Sequence, residues 1–181
     1  MTTKERERTP GQLVKLDTSH QEMFETFIGE FEPQKDPLHG YFIDVNAPFE
    51  TVLEILEGYE TGDTLPEGWV PSTTWFWMHE NAIKGVINLR HWLTPGLEAH
   101  GGHIGYTVAP SHRRQGIATA MLAGALARTK ELNIERVVVS CDAENIGSRR
   151  AIEINGGVLQ REEWDETLKR TSNFYWITPT A

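Results

Sequence analysis

Cysteine occurs once in the 181 residues, at Cys141. No internal disulfide can form, which fits a reducing compartment. A lone cysteine in a β-branched run reads as a small buried apolar residue before it reads as a nucleophile. No apolar run approaches the roughly 18–20 residues that a membrane helix requires. The opening MTTKERERTPG is polar and charged and lacks the apolar centre of a signal peptide, so a cytoplasmic protein with a loosely ordered tip over residues 1–11 is expected. Basic residues are in deficit: 17 Lys and Arg stand against 26 Asp and Glu, a net charge of −9. That balance argues against a nucleic-acid partner, whose phosphates call for a basic face, and leaves room for cationic ones. The 7 histidines are scattered and no His/Cys cluster has ligand spacing, so no metal is expected.

What remains is a chain of one-domain size with an ordinary apolar fraction of 39%. Met23, Phe24, Phe27, Ile28 and Phe31 recur at three- and four-residue spacing and predict a helix from Ser19. Val52, Leu53, Ile55, Leu56 and Tyr59 predict a second, with Glu50, Glu54, Glu57 and Glu60 on its other side. STTWFWMHE and AIKGVINLRHWL read as a hairpin turning at Asn81. TPGLEAHGG reads as a loop, and HIGYTVAP as a strand stopped by Pro110. Gly116 to Leu132 is the strongest helical pattern, rich in alanine and suited to close packing on a sheet. IERVVVSC has the continuous β-branched character of a parallel strand buried on both faces. NIGSRRAIEIN is a short helix capped by Asn145 and ended by Gly156-Gly157. Two final strands, VLQREEW and RTSNFYWIT, complete the order α-α-β-β-β-α-β-α-β-β. A strand-helix-strand crossover over 103–140 makes this an α/β fold with a mixed sheet of six to seven strands and at least one parallel pair.

HRRQGIA, residues 112–118, places two cations where the last long helix opens. Amides in a helix's first turn lack partners and carry partial positive charge. Gly116 lets a ligand approach the backbone, and Arg113 and Arg114 add forked donors. The combination suits a phosphate or diphosphate. A nucleotide-binding P-loop and a G-x-G-x-x-G dinucleotide fingerprint are both absent.

Val108-Ala109-Pro110 followed by Arg113-Arg114-Gln115-Gly116-Ile117-Ala118, with Asn145-Ile146-Gly147-Ser148 on the helix after the next strand, resembles the cofactor core of the GNAT superfamily of N-acyltransferases. The resemblance extends over most of the chain. It implies one acyltransferase domain over residues 1–181, with an acyl-CoA-binding core at 103–157 and helices on both faces of a sheet that splays between two parallel strands. It implies acetyl-CoA as co-substrate. The diphosphate would lie on the amides of Arg114, Gln115, Gly116, Ile117 and Ala118, beside the Arg113 side chain. The pantetheine arm would run along Tyr106, Thr107 and Val108, with Asn145 and Ser148 opposite. The reaction would be direct attack of an amine, from a small molecule or a peptide, on the thioester, with the Val108 N–H stabilising the oxyanion. A lysine-like amine is neutral in only about one molecule per thousand at neutral pH, a cost near 4 kcal/mol, so the site must take a proton.

Two residues usual in the family are missing. Ile152 stands where many members carry a tyrosine acid, and Gly102 near where some carry a glutamate. His103, His100, Asp142 and Tyr106 are the remaining acid–base candidates, and strand alternation sets His103 on the face away from Ile104, Tyr106 and Val108. The missing tyrosine also leaves open a non-catalytic CoA-binding or sensor domain. Glu50, Glu54, Glu57, Glu60, Asp63, Glu67, Trp69, Trp75, Trp77 and Trp92 are candidates to hold a cationic acceptor. No feature specifies an interface, and a homodimer is left open.

Overall fold

The computed structural model describes residues 11–32, 38, 44, 46–166 and 169–179. Of the tip expected over residues 1–11, only Gly11 lies among them. The elements run β1 (Gln12–Val14), α1 (Gln21–Gly29), α2 (Phe49–Thr61), β2 (Ser72–His79), β3 (Ala82–Arg90), α3 (Pro95–His100), β4 (Ile104–Val108), α4 (Ile117–Leu126), β5 (Val137–Asp142), α5 (Ile146–Ile154), β6 (Val158–Asp165) and β7 (Arg170–Ile177). The strands form two sheets, ordered β1-β2-β3-β4 and β5-β7-β6.

The first sheet is covered on both faces. Trp75, Trp77, Ile87 and Leu89 pack with Ile117, Met121, Leu122 and Ala125 of α4. The alternate residues Phe76 and Val86 pack with Phe24 and Phe27 of α1 and with Phe49 and Val52 of α2. Both faces of β2 and β3 are thus buried, and the polar Thr74 and Asn88 among them bond each other across the pair at 3.0 Å. Trp75 and Trp77 build core and line no acceptor site. The β2–β3 turn puts Glu80 and Asn81 at φ 51° and 56°, the left-handed pair that a tight hairpin needs. The small residues of α4 allow close approach. A Cβ on Gly85 of β3 would stand 2.8 Å from Met121 Sδ, and one on Gly124 of α4 would stand 2.8 Å from a Leu13 methyl.

The structure differs from the sequence reading in four places. Residues 95–100, read as loop, form α3: Pro95 stands at its start and Thr94 Oγ1 accepts from Leu97 N at 3.3 Å. α4 ends at Leu126 rather than Leu132. The Thr129 hydroxyl takes the Leu126 carbonyl at 2.7 Å, and Thr129–Leu132 tightens into a 3-10 turn. β1 carried too few residues to show a period; it pairs with β2 through Leu13 and Trp77.

The fourth concerns strand pairing. Every ladder among the described residues is antiparallel, β5 included, since it pairs with β7. The Val137–Val139 run reflects burial on both faces, not a parallel neighbour. β4 and β5 share no ladder. Their sheets meet just before β4: His103 N donates to Val138 O at 2.7 Å, and Gly102 bridges Val139. Beyond that clasp, backbone hydrogen bonds stop and a cleft begins.

Candidate active site

Alternation along β4 decides which backbone groups the cleft receives. Arg90 N donates to His103 O at 2.8 Å, and Ala109 N donates to Lys84 O at 3.0 Å. With Gly85 opposite Val108 and Asn88 opposite Gly105, these bonds fix the phase of the ladder. Gly105 and Thr107 turn their N–H and C=O toward β3, as do the His103 C=O and the Ala109 N–H, while the His103 N–H goes to Val138. Ile104, Tyr106 and Val108 turn theirs away. The Val108 N–H is therefore left over by the ladder, and its carbonyl accepts from Arg113 Nε at 3.1 Å. The backbone of Thr107 is spent on β3, so it offers the cleft its side chain alone.

After β4 the chain makes a 3-10 turn over Pro110–His112. Ser111 N and Oγ donate to a Glu30 carboxylate oxygen at 3.1 and 2.6 Å, which ties this turn to the end of α1. Arg114 then takes φ 63° and Gly116 φ 82°, and α4 begins with no side-chain cap. The first intrahelical bond there is Ala120 N to Gly116 O at 3.1 Å. A Cβ at Gly116 would meet nothing within 4 Å, so packing inside the protein does not demand the glycine. Its left-handed backbone and the open approach to the helix mouth do. An open, uncapped, cation-flanked helix start has the features that a diphosphate needs.

The cleft, about 540 Å³ in volume, lies between β4, β5, the start of α5 and the β6–β7 hairpin. Asn145 and Ser148 line it on the α5 side. Asn145 caps the helix, its Oδ1 accepting from Ser148 N at 3.0 Å. The Tyr106 hydroxyl reaches across from β4 to Ser148 Oγ at 2.7 Å. Cys141 also borders the cleft; burial pushes its thiol up to about 11 against an opposing hydrogen bond from Ser148, which suits the inert role expected of it. Asp142 lines the cleft, accepts from Glu144 N at 2.8 Å and faces Arg170 at 3.9 Å.

The remaining candidates separate. His100 lines the cleft; His103 does not. The His103 ring is buried, and its Nδ1 accepts from Val138 N at 3.0 Å. Burial first, and Arg90 second, hold its pKa down at about 4. It is a neutral clasp between the sheets rather than a base. Ile152 is fully buried in the main core, so no acid acts from that position. The glutamates and tryptophans proposed to hold an acceptor lie elsewhere. Glu60, for instance, binds Lys15 at 2.6 Å.

On the far wall of the cleft, sequence reasoning named Asp142 but missed Ser172 and Glu163. Asp142, Ser172 and Glu163 form one row across β5, β7 and β6, and all three line the cleft. The bulge between Leu159 and Arg161 reverses the parity of β6, so alternation read from the sequence alone could not assign Glu163 to this face.

An uncapped helix start with two arginines beside it, following a strand whose Val108 N–H its ladder leaves over, is the arrangement expected of an acyl-CoA-dependent acyltransferase. A family model described as an acetyltransferase (GNAT) domain matches residues 21–158, and the chain belongs to that family of N-acetyltransferases, which use acetyl-CoA as co-substrate. A sequence search of curated proteins returned no match. Among solved structures the fold is similar to ribosomal-protein-S5-alanine acetyltransferase from Vibrio fischeri, with TM-score 0.68, 12% identity, and 93% of each chain covered. It is similar to the microcin C7 self-immunity acetyltransferase in complex with acetyl-CoA and AMP, with TM-score 0.65, 17% identity, 92% of this chain and 91% of that one. It is also similar to spermidine N-acetyltransferase from Vibrio cholerae in complex with CoA and spermine, with TM-score 0.62, 14% identity, 93% and 95%. At these identities the likeness concerns the fold. Among the described residues no helix is long and apolar enough to cross a membrane.

Proposed function

We propose that the protein transfers the acetyl group of acetyl-CoA to a primary amine, in a small molecule or a peptide, by direct attack within a ternary complex. One observation supports this reading: the ladder leaves the Val108 N–H turned away from β3, a few residues before the uncapped start of α4. The diphosphate would bind the amides over Arg114–Ala118, with Arg113 beside it. The pantetheine arm would follow the outward backbone of Tyr106 and Val108, with Asn145 and Ser148 across from it. The Val108 N–H is then the donor aimed at the thioester oxygen as it gains charge.

The amine must shed a proton before it attacks. Asp142, the carboxylate among the named candidates, lines the cleft; it holds the amine substrate by charge, and water takes the proton. Tyr106, hydrogen-bonded to Ser148 and bordering the cleft, is the acid available to the leaving thiolate, in place of the tyrosine that Ile152 precludes.

The test is calorimetric titration of acetyl-CoA together with thiol release over a panel of primary amines. Gly116→Glu places a carboxylate at the helix mouth and should weaken acetyl-CoA binding at least 100-fold. Wild-type affinity in that variant would remove the reading. Tight binding with no thiol release for any amine would favour the CoA-sensor alternative.

A further inference from the structure

The acceptor's chemistry can be read from the cleft's far wall, and the inference rests on the acetyltransfer reading above. We propose that the acceptor is an aliphatic amine with a second cationic group: its reacting nitrogen lies at the gap between β4 and β5, and its distal cation sits over Ser172, between the carboxylates of Asp142 and Glu163.

The backbone builds this seat. Asp142 on β5 pairs with Ser172 on β7, which pairs in turn with Glu163 on β6. The three side chains share a face, and the two acids are two strand spacings apart, about 10 Å. Between them stands the small hydroxyl of Ser172, which adds an acceptor oxygen and leaves the space above it open. Phe174, the next residue of β7 on this face, floors the cleft and carries the Arg161 guanidinium stacked at 3.7 Å. The indole of Trp164, half exposed, borders the same space and offers a face to a cation.

The charges lining the cleft favour a cation over an anion. Asp142, Glu144, Glu163 and Asp165 line it against Arg90 and Arg170. Arg90 is committed to the clasp between the sheets, where its Nη1 donates to Gly102 O at 2.9 Å. Arg170 faces Asp142 at 3.9 Å, too long for a strong hydrogen bond. Arg161 Nε meets Glu163 at 3.1 Å, while its Nη2 is spent on the Glu98 and Ala99 carbonyls at the end of α3. An acceptor with a carboxylate at its far end would meet Asp142 and Glu163 together. The volume, about 540 Å³, is that of a small-molecule site.

The experiment uses amines of one chain length and different distal charge: putrescine, butylamine and γ-aminobutyrate, with spermidine as a longer cation. Acetyl-CoA binding is measured in parallel. The expected result is a kcat/KM for putrescine and spermidine at least tenfold above butylamine, with γ-aminobutyrate lowest. Glu163→Gln should cut that preference about tenfold, with the putrescine kcat/KM falling far more than the butylamine value and the acetyl-CoA affinity unchanged. Ser172→Lys, which fills the seat with the protein's own cation, should abolish the preference. Equal turnover of butylamine and putrescine would overturn the proposal, as would a Glu163→Gln loss shared by all amines. So would tight acetyl-CoA binding with none of the four acetylated. Failure to bind acetyl-CoA would instead overturn the reading on which the proposal rests.

Discussion

Val108 acts through an atom that ordinary side-chain substitution does not remove, yet proline does. Because its N–H is not part of the β3–β4 ladder, Val108→Pro deletes the oxyanion donor without breaking a sheet hydrogen bond. The expected outcome is a folded protein whose acetyl-CoA affinity changes by a few-fold and whose kcat falls by about 100-fold. Thr107→Pro is the control: it removes a ladder N–H and should lower the melting temperature well below that of Val108→Pro. Equal kcat in wild type and Val108→Pro would dismiss the oxyanion role. Tyr106→Phe separates the acid from the binder, because the ring stays and only the hydroxyl bonded to Ser148 goes. A kcat lowered by tenfold or more with KM for acetyl-CoA held within a few-fold supports a proton donor. A change confined to KM assigns Tyr106 to binding alone. At this scale the sequence was informative wherever the signal is local. Asn145 as a helix cap, Gly116 at a strand-to-helix turn and the arginines beside it are all properties of a few consecutive residues. The role of His103 was not legible, because its partner, the Val138 amide, lies 35 residues away.

Elements, unlike residues, meet through the clasp ahead of β4. Gly102 holds φ 70° there, and a Cβ would stand 2.5 Å from Val138 O. Gly102→Ala therefore combines a left-handed strain with a backbone collision and should cost about 2 kcal/mol or more, read from a denaturant midpoint with unchanged m. A midpoint equal to wild type would mean that the clasp does not hold the sheets at this point. The same glycine explains why no family-type glutamate acts here: the position is required by the backbone. The two-fold and 3.6-fold periods gave α1, α2, the β2–β3 hairpin and the final strands. They failed for β1, at three residues, and for α3, at six, since a period needs more residues than either has. They also could not give pairing. A continuous apolar run states that both faces are buried; in β5 both are, although its ladder is antiparallel.

For the whole molecule, the clasp makes stability depend on pH. His103 titrates at about 4 in the folded chain against 6.5 when unperturbed. Between those values the unfolded chain binds a proton that the folded chain refuses, so stability is complete above about pH 6.5 and is lost as pH falls toward 4. The full effect is at most about 3 kcal/mol. His103→Gln should flatten that acid limb, and an unchanged slope in thermal melts from pH 7 to pH 4 would exclude His103 as its source. The net charge of −9 gives the same molecule a field that attracts cations, consistent with the acidic row facing the cleft.

The central claim is that alternation along β4 presents the Val108 amide to the thioester carrier while the Thr107 amide stays bound to β3. Amide hydrogen exchange of both, followed by NMR with and without acetyl-CoA, tests it most directly. The account predicts slow exchange at Thr107 in both states and fast exchange at Val108 that slows by tenfold or more when acetyl-CoA binds. Protection of Val108 in the free protein, or protection gained at Thr107 in its place, would contradict it.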